Sequence, residues 1–480
     1  MRPASKFEIA AARVWNVLNE GKSFHPVFVL GTFFLLHITR LPDGGFWTRA
    51  LPALGLTVPL VVVFVRYDFP LKLRWALWGF LAAFVLLFRF FDPGALLLCL
   101  GLYVFFTVFF WGTLYYHLRT GAPRTNFIRF WRLVLENPDS TSGNFLEQAP
   151  KALLVLFTLE YLLSEPISLE RAGLVLGFTV AVGVASHLVH ERFFDWKPVY
   201  PREPTGDINR DGPLVRRVIV VVIDGCRLDR FHEAEKPYLE KMIAGGTLFQ
   251  SVETVYPART VVCFSSMFTG APPETHGITS NLVLELGLEV ESVFDALRRR
   301  GKKGRLVGIA HLIDAFGDDV ASVTSVAHND KIDQNLIAAA RRELEEHDPE
   351  LLVLQLLAVD QNGHVRGTYY PEYVERIEIT DRLIEEFMGW CDERGYLEDA
   401  AVVLMADHGQ GRGIGAHGHL SEGERYVPFA MWGSSVATGR VVKEPRSILD
   451  LAPTICFLLG VEPPMGSVGR VLEEALEKGR

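Results

Sequence analysis

Cysteine is scarce in this chain: five residues in 480, Cys99, Cys226, Cys263, Cys391 and Cys456, odd in number and never paired as C-x-x-C. Nothing here calls for an oxidising compartment or a cysteine-based zinc site. An excess of basic charge is missing too. With 48 Lys and Arg against 57 Asp and Glu the net charge is −9, and no nucleic-acid partner is expected. Residues 1–23 are mixed and polar, without the apolar core of a cleavable signal peptide. Beyond residue 215 there is no internal repeat and no low-complexity tract.

What the chain does have is a sharp division. Long apolar runs crowd residues 1–194, whereas 216–475 alternates charged and apolar residues as a soluble domain does. Crossing a bilayer as a helix takes roughly 20 apolar residues. Candidate spans lie at 24–40, 50–66, 73–91, 94–118, 150–164 and 172–190, an expected all-α transmembrane bundle of about six helices. The fifth is short and carries Glu160, so a re-entrant or interfacial segment is its alternative reading. With six spans, Lys and Arg concentrate in the loops on the side of the termini, from Arg2 and Lys6 to Arg192 and Arg202, and only Arg40, Arg49, Arg89 and Arg171 fall opposite. That bias puts the soluble domain in the cytoplasm; an odd number of spans would put it outside. The segment 126–136, NFIRFWRLVLE, reads as an amphipathic interfacial helix or a connecting helix. Glu160, His187 and His190 are ionisable groups in or near spans, the two histidines close to a helix end. Residues 195–215, rich in Pro, Gly and charge, form a linker.

Three segments of the soluble half share one design. RRVIVVVIDG (216–225), LLVLQLLAVDQ (351–361) and AAVVLMADHG (400–409) are apolar runs of strand length, suited to central parallel strands buried on both faces. Each ends in an aspartate: Asp224, Asp360 and Asp407. Ligands of open α/β sheets bind beyond the carboxyl ends of the strands, and three carboxylates there repel one another unless cations lie between them. Histidines accompany them: His364 four residues after Asp360, His408 directly after Asp407, then His417 and His419 in GAHGH. Mixed carboxylate and imidazole donors suit two divalent ions, Zn²⁺ or less specifically Mn²⁺. Thr260, after YPAR and at the start of an expected helix, is a candidate nucleophile facing unpaired backbone N–H groups; read alone it serves equally as a helix cap.

The segment YPARTVVCFSSMFTGAPPETHGI (256–278) resembles the nucleophile loop of the type I phosphodiesterase/nucleotide pyrophosphatase family of the alkaline phosphatase superfamily, F-P-x-K-T followed by a helix and T-G-x-x-P-E-x-H-G-I. IDGCR, DQNGH, ADHGQ, GAHGH and ILDLAPTICFLLGVEPP (448–464) are similar to the family's remaining motifs in the same order, over about 216–470. The resemblance implies an alkaline phosphatase-like α/β domain with a mainly parallel sheet. It implies a first metal site of Asp360, His364 and His417, and a second of Asp224, Thr260, Asp407 and His408. It also implies a phosphoester substrate attacked by Thr260. Where the family usually has an asparagine three residues after the nucleophile, this chain has Cys263, a poor donor. Arg259 and the Thr260 amide are the candidate replacements, with Cys263 otherwise a small buried helix residue.

The expected function is a membrane-anchored, metal-dependent phosphodiesterase or phosphatase acting on a lipid-linked or nucleotide phosphoester. Two alternatives stand beside it. One is a phospho-alcohol (phosphoethanolamine-type) transferase on a membrane acceptor, as in membrane transferases of the same superfamily that work outside the cytoplasm. The other is a non-catalytic transport or signalling protein, against which the complete donor set speaks.

Overall fold

The computed structural model describes residues 21–69, 71–106, 109, 145–194, 198–206, 212–281, 286–323, 329–412 and 417–477. They fall into two compact units that part between Lys197 and Pro198.

The first unit is helical: α1 (Gly21–Leu36), α2 (Gly44–Arg66), α3 (Arg74–Phe88), α4 (Pro93–Val104), α5 (Phe145–Ser164) and α6 (Leu169–Phe193). Each helix overlaps one expected span. Local chemistry starts them: Asp43 accepts the Gly45 N–H ahead of α2, and Ser168 accepts the Arg171 N–H ahead of α6. Among the described residues, only α2 and α6, of 23 and 25 residues, are long and apolar enough to cross a membrane. They turn Val58 and Val62, and Val180 and Val184, outward, faces better matched to hydrocarbon than to water. The six-span expectation is thus met in full by two helices. The helices α3 and α4 are shorter, and the fourth span beyond Val104 lies largely outside the described residues, as does the amphipathic segment 126–136.

Helix α5 departs from a lipid-facing span for a physical reason. It is buried on nearly all sides, packed against α1, α2, α3 and α4, and it carries Glu147, Lys151 and Glu160 inward. Lys151 pairs with Glu147, and Glu160 Oε1 lies 2.8 Å from His37 Nε2. A buried charge costs far less when paired. His190 lies edge-on to Tyr67 and Phe69, with ring centroids 5.0 and 5.6 Å away.

The second unit is built on a nine-stranded mixed sheet: β1 (Arg217–Ile223), β2 (Thr247–Glu253), β3 (Gly304–Ile309), β4 (Val320–Val323), β5 (Leu351–Leu356), β6 (Ala400–Met405), β7 (Tyr426–Gly433), β8 (Arg440–Val442) and β9 (Arg446–Ser447). The order is β4-β3-β5-β1-β6-β7-β2-β8, with β9 also beside β2. Every neighbouring pair is parallel except the two made by β7. The three apolar runs that end in aspartate are β5, β1 and β6, adjacent at the centre and buried throughout, as strands covered on both faces must be. One boundary differs from the sequence reading. The run 351–361 does not stay extended to Asp360: β5 stops at Leu356 and a helix, α8 (Ala358–Arg366), begins. Asp333, on the neighbouring helix Asn329–His347, is the reason. Its Oδ1 accepts the N–H groups of Leu357 (2.7 Å) and Ala358 (3.1 Å), a helix start that no residue of the run itself could announce.

Candidate active site

The carboxyl ends of β5, β1 and β6 meet at one edge of the sheet. Asp224 follows β1 directly, Asp407 stands two residues past β6, and Asp360 projects from the first turn of α8. Gly225 lets these carboxylates close up. It has φ of +63°, and a Cβ there would meet Asp360 Oδ1 at 2.5 Å. Helix α7 (Thr260–Thr269) lies alongside, with Arg259 and not Thr260 at its cap position, so the capping alternative for Thr260 is not realised. The Thr260 hydroxyl is 3.3 Å from His408 Nε2.

Two donor sets converge within 4.8 Å: Asp224, Asp407 and His408; and Asp360, His408 and His417. His408 Nε2 stands 3.4 Å from Asp407 Oδ2 and 3.7 Å from Asp224 Oδ1. His364 joins the second set, with Nε2 3.2 Å from Asp360 Oδ2 and 3.1 Å from His417 Nε2. All seven residues read from sequence as metal ligands are therefore gathered in one place. Arg259 is nearly buried at the start of α7. Cys263 is fully buried with Sγ 3.3 Å from Thr254 Oγ1, which fits the buried-helix reading.

The electrostatics show what this cluster lacks. Burial, then the charges of Asp407 and Asp360, push the Asp224 carboxyl well above its ordinary range. Burial raises Asp407 as well. Around Asp360 burial acts in the same sense, but His364, His417 and His408 outweigh it and hold that carboxyl below the usual range. Burial, then His408, pushes the His417 imidazole well below its ordinary range. Asp224 Oδ1 and Asp407 Oδ2 are buried without a hydrogen-bond partner. Orphaned carboxylate oxygens facing imidazole nitrogens are what a divalent cation satisfies, so these donors fit the expected ions.

Hydrogen bonds behind the donors fix their directions. The Gly225 N–H donates to Asp407 Oδ1 (3.1 Å) and Gln355 Nε2 to Asp224 Oδ2 (2.6 Å). Gln410 Nε2 donates to Asp360 Oδ1 and to the Asp360 carbonyl. His417 Nδ1 meets the Ala258 carbonyl at 2.9 Å and His408 Nδ1 the Gly409 carbonyl at 2.8 Å, leaving both Nε2 atoms toward the cluster. The sequence reading missed Gln355 and Gln410, although a glutamine inside LLVLQLL is a visible anomaly. It missed Asn281 too, whose Oδ1 accepts the Val261 N–H at 2.9 Å beside the nucleophile; nothing local in the sequence ties residue 281 to residue 261.

An α/β domain with a threonine hydroxyl beside two convergent carboxylate–imidazole sets is the class defined by this geometry. The sulfatase family model matches residues 216–461, slightly more than half of the chain, and the chain belongs to that family. That is a broader assignment than the type I phosphodiesterases. Curated relatives include the catalytic subunit of GPI ethanolamine phosphate transferase 3 from Mus musculus, 24% identical over 55% of this chain and 26% of its own length. GPI ethanolamine phosphate transferase 2 from Aspergillus fumigatus is 24% identical over 64% of this chain and 43% of its own. The chain thus spans a quarter to under half of these relatives' lengths. Among solved structures, murine ectonucleotide pyrophosphatase/phosphodiesterase 5 aligns with 52% of this chain and 96% of its own at 15% identity and a TM-score of 0.45. Alkaline phosphatase PafA aligns with 56% of this chain and all of its own at 13% identity and a TM-score of 0.46.

Proposed function

We propose that the chain is a membrane-anchored, metal-dependent phospho-alcohol transferase, moving a phosphoethanolamine-type group from a lipid donor to a membrane acceptor through a covalent intermediate on Thr260. The observation that carries it is the Thr260 hydroxyl beside His408, at the meeting of the two donor sets, in a chain whose relatives are named ethanolamine phosphate transferases. Asp224, Thr260, Asp407 and His408 would hold one divalent cation, and Asp360, His364 and His417 the other. Bound there, such ions, Zn²⁺ or Mn²⁺ by donor chemistry, supply positive charge for the phosphoryl oxygens and acidify the threonine hydroxyl.

The chain's own groups do the rest. Thr260 Oγ1 loses its proton and forms a bond to the donor's phosphorus. The opposite P–O bond breaks, and the lipid alcohol departs with a proton. An acceptor hydroxyl then loses its proton to solvent and attacks the same phosphorus, the Thr260–phosphorus bond breaks, and the threonine is regenerated. The positive end of α7 favours the phosphoryl charge throughout. Asn281, its Oδ1 held by the Val261 N–H, has its NH₂ left for a phosphoryl oxygen, the donor that Cys263 cannot supply. Water in place of the acceptor turns the same steps into phosphodiester hydrolysis; the relatives' names favour transfer.

In the membrane unit, six spans with the Lys and Arg bias of the sequence would put the catalytic unit in the cytoplasm, and five would put it outside. The test of the function uses full-length protein with headgroup-labelled phosphatidylethanolamine. The expected result is label on the Thr260 peptide, chased off by an acceptor alcohol, with none in Thr260→Ala at unchanged cation content. Near-normal turnover in Thr260→Ala defeats the assignment. Label released equally fast with and without acceptor makes the protein a hydrolase.

A further inference from the structure

Strand β5 reads LLVLQL, and the one polar side chain in it, Gln355, is wholly buried. A buried amide is tolerated only when its donors and acceptor are engaged. Both ends of this one are. Its Oε1 accepts the N–H of Ile309 at 2.9 Å, and its Nε2 donates to Asp224 Oδ2 at 2.6 Å.

The Ile309 contact sets which end faces which way. The parallel ladder between β3 and β5 runs from Gly304↔Leu351 to Val307↔Leu354, so the Ile309 N–H lies past the last rung. That N–H can only donate, so it takes the amide oxygen and turns the NH₂ toward β1. Gly308 makes room for this arrangement: a Cβ there would stand 2.6 Å from Gln355 Oε1. Gln355 therefore links the ends of three adjacent strands. It holds one oxygen of Asp224 while the other, Oδ1, is left facing His408 without a hydrogen-bond partner.

We propose that Gln355 is the positioning residue for Asp224, presenting Oδ1 to the cation that Asp224, Asp407 and His408 hold. The proposal rests on the two-cation reading of the site. Gln355 touches neither substrate nor the reacting atoms; it acts through Asp224. Partners behind metal ligands are typically worth about 10–100-fold in metal affinity.

The experiment titrates metal-stripped, full-length protein with Zn²⁺ and reads stoichiometry and affinity, not turnover. Gln355→Met keeps length and volume but loses the donor. Val353→Ala, two residues back on the same buried strand, damages packing without touching Asp224, and thermal midpoints of both variants check folding. The expected result is two tight sites in wild type and in Val353→Ala, and about a 10–100-fold loss at one of two sites in Gln355→Met. Wild-type affinity at both sites in Gln355→Met overturns the proposal alone. Equal loss in both variants reduces Gln355 to a packing residue and overturns it too. A wild-type chain that binds no Zn²⁺ removes the two-cation reading and the proposal with it.

Discussion

The imidazoles of His408 and His417 lie face to face, centroids 4.2 Å apart and planes inclined by 18°. His408 Nε2 faces Asp224 and Asp407, whereas His364 borders Asp360 and His417. Removing these two histidines should empty different sites. His408→Ala is expected to lose the cation of the Asp224 and Asp407 set with all turnover, and His364→Ala the cation of the Asp360 and His417 set. Elemental analysis of the dialysed variants counts the cations, and full occupancy in either variant would refute the assignment.

Asn281 and Cys263 make opposite predictions. Loss of one preorganised donor to a phosphoryl oxygen costs ~10²–10³ in rate, so Asn281→Ala should fall by about that factor in kcat. Cys263→Ser keeps the small buried side chain beside Thr254 and should stay within a few-fold of wild type. A large loss in Cys263→Ser with an active Asn281→Ala would reverse the two roles.

Asp333 should leave a mark on the pH dependence of stability. Burial raises its pKa from the ordinary value to about 6, against the lowering effect of the Leu357 and Ala358 N–H groups. An acid whose folded pKa is raised binds its proton more tightly when folded. Its contribution is fully present below about pH 4 and is lost as pH rises through about 6. Asp333→Asn keeps an oxygen for the two N–H groups and has no charge to bury. The variant should gain on wild type between pH 4 and 7, by on the order of 3 kcal/mol at most. Thermal midpoints of metal-free protein across that range measure it, and a variant that loses ground as pH rises contradicts the argument.

The side of the membrane can be read with one thiol. All five native cysteines are buried, and Glu444 is exposed on the catalytic unit. Six spans predict that Glu444→Cys is protected from a membrane-impermeant maleimide in intact cells and labelled after lysis. Labelling in intact cells gives an odd count and puts the unit outside.

Breaking the His37–Glu160 contact should hurt more than erasing it. Glu160→Leu leaves a buried imidazole without its acceptor, at a cost of ~1–3 kcal/mol, whereas His37→Leu together with Glu160→Leu should recover most of that. Thermal midpoints in detergent test this; a double variant as unstable as the single one would argue against the pair as its source.

The central strands and their aspartates were legible because the signal is local and strong: a continuous apolar run broken by a carboxylate at 224, 360 or 407 needs no distant partner to be noticed. The histidines were legible by their closeness to those aspartates. What escaped was whatever is fixed across the fold. Asp333 starts a helix 25 residues away, Asn281 bonds a backbone 20 residues earlier, and Gln355 reaches two neighbouring strands. In the helical unit the partner of Glu160 was not legible: His37 lies 123 residues away, and Lys151, counted from the sequence among loop charges, pairs with Glu147 inside the bundle.

Gly308 and Gln355 occupy one small volume, and that ties their histories together. A Cβ at 308 would meet Gln355 Oε1 at 2.6 Å and Leu312 Cδ1 at 2.8 Å. A lineage that exchanged Gln355 for a compact apolar residue would lose the tighter of these two clashes, leaving a flexible leucine end to give way, and one that first acquired alanine at 308 would be pressed to give up the amide. Across related sequences the two positions should change as a pair, a correlation that would expose the support behind Asp224 without any structure.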